Sequence, residues 1–246
     1  GIIYISYEDA NVSREMYGII KATDTVNYDN IYQYDEFYPV NGMIVRDSNI
    51  LLCNIFDKKT TGTEYLTQVS LNAYETDTCK VYVNPNGTSK AKKDLQLVTL
   101  KAGEKETINA GYHTLEFAKP IEIKSNSFAV VVEIQSSKTS TGILLESKLD
   151  SVDAWDSVTV ENGKCFAAIG NDFDNCQWAD LGKIREQNSS LTNGDSTIKA
   201  FTTNELLDGS LKNIQIVTPP NKITYFEGEN FDKTGMVVKA TYNRKE

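Results

Sequence analysis

Residues 64–135 begin with EYLTQVSLNA (64–73), end with SFAVVVEIQ (127–135), and hold the longest unbroken series of strand-like alternations in the chain. Val69, Leu71 and Ala73 make one face apolar while Gln68, Ser70 and Asn72 point the other way, the period of two of a half-buried strand. Cys79, Val81 and Val83 then alternate with Lys80, Tyr82 and Asn84, and Asn86-Gly87 turns the chain. Leu95, Leu97 and Thr99 follow on one face, and Leu115 and Phe117 precede Pro120. Phe128 to Ile134 is dense in β-branched residues at odd and even positions alike, as a central strand covered on both sides requires. The stretch therefore predicts an antiparallel β core.

Composition narrows the function. With 25 Lys+Arg against 34 Asp+Glu the formal charge is -9, so most of the surface repels a phosphate backbone and no nucleic-acid partner is expected. The 246 residues, 40% of them hydrophobic, suffice for one large β domain and something small beside it. No apolar run approaches the roughly 20 residues that span a bilayer, and Gly1 does not start a signal peptide. The chain reads as an interior piece of a longer protein.

Candidate chemistry is sparse. Cys53, Cys79, Cys165 and Cys176 show no CxxC spacing, which argues against zinc. Of the three possible disulfide connectivities, Cys165 with Cys176 is the most local pair; four small buried or free thiols is the other reading, and the apolar patterns around Cys53 and Cys79 suit it. His113 is the sole histidine, and no nucleophile motif accompanies it. Binding is better supported than catalysis. Sugars are recognised by flat aromatic faces with Asp and Asn beside them, and the chain has 13 Tyr and 2 Trp, of which Tyr32, Tyr34, Tyr38 and Trp178 are the candidates for ligand contact. Core packing is the alternative for each of them. Asp29, Asn30 and Asp35, and again Asp172, Asp174 and Asp180, offer the hard oxygens that Ca²⁺ prefers; solvated loop carboxylates are the other reading.

A family resemblance adds to this. Gly1 to Asp9 (GIIYISYED) resembles the closing strand of a bacterial papain-like cysteine peptidase, whose catalytic Cys, His and Asn would lie upstream. Asn27 to Asp35 (NYDNIYQYD) resembles the opening motif of the lectin-like domain that follows such peptidase domains in secreted and cell-wall proteins of Gram-positive bacteria. Gly170 to Leu181 (GNDFDNCQWADL) resembles that domain's hairpin, and Ser196 to Thr202 its closing strand. The similarity runs from about Val26 to Thr203. It implies an all-β, jelly-roll-type sandwich, a structural Ca²⁺, a peptidase domain as neighbour, and a location outside the cell or on its surface.

Beyond a break at Leu206 to Ser210, the pattern Tyr225, Glu227-Gly228-Glu229, Phe231-Asp232 and Gly235 resembles the start of a bacterial Ig-like repeat of the surface-protein type. The expected organisation is thus a peptidase tail over residues 1–22, a lectin-like sandwich over 23–207 and the first part of an Ig-like module over 208–246. The function this implies is a non-catalytic accessory domain binding a carbohydrate or cell-wall polymer. A fragment known for its parent's proteolysis and a spacer without a ligand are the alternatives.

Overall fold

The computed structural model describes residues 28–37, 39–148, 158–206 and 210–242. The expected peptidase tail, Tyr38 and the centre of the expected linker lie outside them. The described strands run in chain order as β1 (Asn30–Tyr32), β2 (Asn41–Val45), β3 (Asn49–Asp57), β4 (Glu64–Ala73), β5 (Asp77–Asn84), β6 (Gln96–Leu97), β7 (Thr107–Ile108), β8 (Gly111–Ile123), β9 (Ser127–Gln135) and β10 (Thr141–Glu146). They continue as β11 (Cys165–Ile169), β12 (Ala179–Asp180), β13 (Asp195–Ser196), β14 (Lys199–Thr203), β15 (Leu211–Thr218) and β16 (Val237–Tyr242).

These strands build the all-β sandwich that the sequence predicts. One layer is a long sheet in the order β12-β11-β3-β9-β5-β6, with β7 also pairing β5. The facing layer consists of β1-β14-β4-β8 and the shorter β13-β10-β2. All the pairings are antiparallel. Between the layers Leu66, Val69 and Leu71 of β4 and Leu115 of β8 meet Ile50, Leu52 and Phe56 of β3, Val81 and Val83 of β5, and Phe128, Val130 and Val132 of β9. Burying each such side chain contributes about 1.5–3 kcal/mol.

Strand β9 is the middle of the long sheet, hydrogen-bonded to β3 from Ser127 to Gln135 and to β5 from Ala129 to Gln135. Its central residues alternate between two cores. Phe128, Val130 and Val132 point into the sandwich, whereas Ala129 and Val131 point outward into a second cluster with Leu51, Cys53, Tyr82, Ala168 and Phe173.

The expected faces of Leu95, Leu97 and Thr99 differ by one residue from those observed. Val98 is the buried residue and Leu97 is exposed. The cause is that this segment is a strap between layers. Val98 donates its N–H to Val81 O of the long sheet (2.9 Å), whereas Thr99 O receives the N–H of Ala118 (2.9 Å) and Lys101 donates to Glu116 O (2.9 Å) in the facing sheet. The β8 residues 117–120 bulge out to meet it, since Gln68 pairs with Glu116 but Leu66 pairs with Ile121.

The four cysteines are free. Cys165 lies in the inner core and Cys176 packs against the outer cluster, so the sheet separates the two and the local pairing is not formed. Chain ingress and egress share one edge: β1 pairs antiparallel with β14, Asn30 opposite Thr202. Strands β15 and β16 pair with each other, and every one of their residues is exposed, among them Ile214, Ile216, Val237 and Tyr242.

Opening the β15–β16 ribbon therefore uncovers no core, and local stability should be lowest there. Limited proteolysis is expected to remove residues 211–242 first and to leave a resistant product ending near Glu205, read by mass spectrometry. Survival of Ile214 to Tyr242 within the resistant product would show that these strands are docked on the sandwich.

Candidate functional site

The outer side of the long sheet gathers rings. Tyr82 on β5 and Phe166 on β11 project outward because each is one step out of phase with an inward neighbour, Val81 or Val83 in the first case and Cys165 or Ala167 in the second. The centre of this face is small or aliphatic, with Cys53, Ala129, Val131 and Ala168. Two loops close over it. Gly170, at φ 89°, takes the left-handed conformation that starts the loop 170–178. The Asp172 carboxylate then accepts from Asp174 N (3.2 Å), Asn175 N (3.2 Å) and Asn175 Nδ2 (2.9 Å), and these bonds hold its pKa below the usual range. That turn delivers Phe173 edge-on to Tyr82, with ring centroids 4.9 Å apart, and leaves Trp178 half-buried at the rim.

The second loop follows β5 and carries Lys90 and Lys92. Its position is set by Lys92 N, which donates to Asp174 Oδ1 across the two loops (2.9 Å). Lys90 Nζ stands 3.9 Å above the Phe166 ring and 5.6 Å from that of Trp178; Lys92 Nζ stands 3.8 Å above Tyr82 and 4.1 Å above Phe173. Four rings and two ammonium groups thus form one platform. Of these residues sequence reasoning singles out only Trp178. The missed signal is the run Lys90-Ala91-Lys92-Lys93, a concentration of positive charge in an acidic chain.

Tyr32 and Tyr34 lie elsewhere. Tyr32, expected to face a ligand, is a core residue at 2% exposure, tilted against Phe56 and edge-on to Phe128. Its hydroxyl donates to Glu64 Oε2 (2.6 Å) and accepts from Lys59 N (2.8 Å). Burial pushes the Glu64 carboxyl up, yet bonds from Tyr32, Thr202 and Thr60 outweigh it and hold the group below its ordinary value. Tyr34 is half-buried, stacked on Phe56 at 5.4 Å with its hydroxyl donating to Ile55 O, and lines a cavity of about 200 Å³ with Gln33, Asp57, Glu161 and Lys164. A larger cavity of about 680 Å³, between residues 96–99 and 118–122, has no aromatic ring in its lining.

The two expected sets of oxygen donors, Asp29 with Asn30 and Asp35, and Asp172 with Asp174 and Asp180, are largely engaged in hydrogen bonds and an ion pair within the protein. Asp29 Oδ2 accepts from Asn204 N (2.8 Å), and Asn30 donates to Thr202 Oγ1 and Asn204 Oδ1, all at one end of β14. Asp35 is paired with Lys199 at the other end of that strand (2.5 Å). Asp180 accepts from Gly182 N (3.0 Å) and Gly163 N (2.8 Å). Among the described residues no three His, Cys, Asp or Glu side chains stand together as a metal site.

Asp35 instead belongs to a buried acidic cluster that no pattern in the sequence discloses. Asp35, Glu146 and Asp195 are each 1% exposed. Glu146 accepts the backbone N–H groups of Glu36 and Phe37, and Asp195 Oδ1 receives Cys165 Sγ (3.6 Å), while Asp35 Oδ1 and Asp195 Oδ2 have no hydrogen-bond partner. Burial, with Glu146, Asp35 and Glu161 nearby, pushes the Asp195 carboxyl up to about 7. Burial raises Asp35 to about 6, opposed by Lys199.

This antiparallel sandwich, with a cluster of aromatic rings on one outer face, defines an all-β sandwich module. The sequence profile of the Lectin like domain matches residues 31–202, and the chain belongs to that family. No curated protein sequence matches it. Among solved structures, it is similar to the clostridial cysteine protease Cwp84 after propeptide cleavage, with a TM-score of 0.53 and 16% identity over 71% of this chain and 40% of that one. It is likewise similar to the cysteine protease and lectin-like domains of Cwp84, a surface layer associated protein of Clostridium difficile, with a TM-score of 0.53 and 15% identity over 71% of this chain and 36% of that one. The chain spans well under half the length of these two structures. Their likeness shows the fold.

The acidic cluster gives a pH dependence with a definite sign. Both folded-state values exceed the roughly 3.9 of an unfolded Asp, so each group's contribution to stability is complete below about pH 4 and is lost as pH rises through 6 and 7. Asp195→Asn removes the charge and retains an acceptor for Cys165. It is expected to stabilise the protein at pH 8 by on the order of 1–3 kcal/mol, and by far less at pH 5, in denaturant unfolding. An equal difference at both pH values would show that Asp195 is not the titrating group.

Proposed function

We propose that this chain is a non-catalytic accessory domain, binding a carbohydrate or cell-wall polymer, of a secreted or surface-displayed bacterial cysteine peptidase. The observation that carries the reading is the ring cluster on one outer sheet face, in which Trp178 and Phe166 are partly exposed above the buried Tyr82 and Phe173. Apolar faces of sugar rings pack on such surfaces, and Trp178 is the ring at the solvent rim. Membership of the lectin-like family and the fold shared with the Cwp84 structures support the same reading.

The state of the nucleophiles supports a non-catalytic role. A reactive cysteine needs a stabilised thiolate, whereas burial pushes Cys53 and Cys79 up to about 12 and raises Cys165 and Cys176 as well. His113 on β8 has its Nε2 bonded to Asn109 O (2.7 Å), far along the chain from any of them. The alternative of a spacer without a ligand has one observation in its favour, namely that Lys90 and Lys92 already lie over the rings.

Co-sedimentation with purified cell-wall polysaccharide separates the two. Binding is expected, and Trp178→Ala should weaken it about tenfold, the scale of one lost aromatic contact, without abolishing the unfolding transition. Absence of any binding by the parent chain would leave the spacer as the correct account.

A further inference from the structure

The lysines on the platform name the chemical class of what it binds. Lys101, Lys138, Lys164, Lys199, Lys212 and Lys222 each reach a carboxylate. Lys90 and Lys92, in a protein of formal charge -9, share with several other lysines the lack of a carboxylate partner among the described residues; what sets these two apart is that each ammonium stands near two rings. An ammonium carries three N–H donors, and a ring below it engages one side only. Lys92 is exposed and Lys90 is half-buried.

The neighbouring acids do not fill this gap. Asp172 is hydrogen-bonded to Asn175 and to backbone N–H groups inside its own turn, and Asp174 accepts from Lys92 N rather than from an ammonium. Asp94 receives the Ser89 hydroxyl (2.5 Å). The same bond from Lys92 N to Asp174 fixes one loop against the other, so the backbone that carries both lysines is held before any ligand arrives, which lowers the ordering cost of binding.

Resting on the glycan reading above, we infer that the platform selects saccharides bearing anionic groups, either carboxylates or phosphates, over neutral ones. The sugar ring packs at the Trp178 rim and the anionic oxygens take the outward N–H donors of Lys90 and Lys92. Each anion then stands above an ammonium that itself stands above a ring, a stack in which both contacts of the lysine are attractive.

Three probes test this on the full chain: dextran as the neutral polymer, polygalacturonate as the carboxylate polymer and phosphomannan as the phosphate polymer. At low salt at least one anionic polymer is expected to bind about fivefold or more tightly than dextran, the scale of one or two exposed charge contacts, and the preference should fade near 0.5 M salt, about which screening is nearly complete. Lys90→Met with Lys92→Met keeps the aliphatic stems over the rings and should erase the preference, so that the anionic polymers bind no better than dextran does to the same variant, with a single cooperative unfolding transition retained. Lys119→Met, at the bulge of β8, should change nothing. Which anionic polymer binds better identifies the source of the charge. Equal affinity for all three, or a preference that survives the double substitution, overturns the selection while leaving glycan binding intact; failure of every polymer to bind overturns both.

Discussion

A strand buried on both faces imposes a condition that the whole molecule satisfies. Because β9 carries Phe128, Val130 and Val132 on one side and Ala129 and Val131 on the other, its sheet needs an apolar cover above and below. The facing layer of β4, β8, β10 and β14 supplies one. Among the described residues no further sheet supplies the other, so two loops do, and they bring Phe173, Trp178 and the lysines over Tyr82 and Phe166 of the sheet itself. The candidate site is in this sense the lid of the second core, and its position follows from the composition of a single strand.

Polar groups are treated differently in the two halves of the sandwich. Glu64 is buried yet completely met by Tyr32, Thr60 and Thr202, a charged knot tying β1, β4 and β14 together. Asp35, Glu146 and Asp195 are equally buried, and of the three only Asp35 has an ammonium as partner among the described residues, that of Lys199. A buried carboxylate with good donors stabilises, whereas burial with too few donors favours the neutral form, as it does for Asp35 and Asp195.

Much of this fold is legible in the sequence because alternation and β-branching report burial directly. Val69, Leu71 and Ala73, Cys79 to Val83, and Phe128 to Ile134 behave as their pattern requires. The pattern fails at Leu97 and Val98, where the segment leaves one sheet for the other and its orientation is set by hydrogen bonds to residues 81 and 118, distant in sequence. The site is less legible. Aromatic content singles out Tyr32 and Trp178 alike, and only the packing tells the first, between Phe56 and Phe128, from the second, at a rim. The acidic cluster unites positions 35, 146 and 195, a proximity that no local pattern encodes.

The pairing of β1 with β14 has a mechanical consequence. Asn30 faces Thr202, so the chain passes into the sandwich and out of it at one point, with Asp29 and Asn204 clasped just outside by the bond from Asn204 N to Asp29 Oδ2. Tension applied through the flanking segments would be borne by this short ribbon, whose hydrogen bonds would break in succession like the teeth of a zip. The two cores and the platform lie off the line of force. A module joined to its neighbours in this way can hang from a stretched polypeptide with its outer face undisturbed.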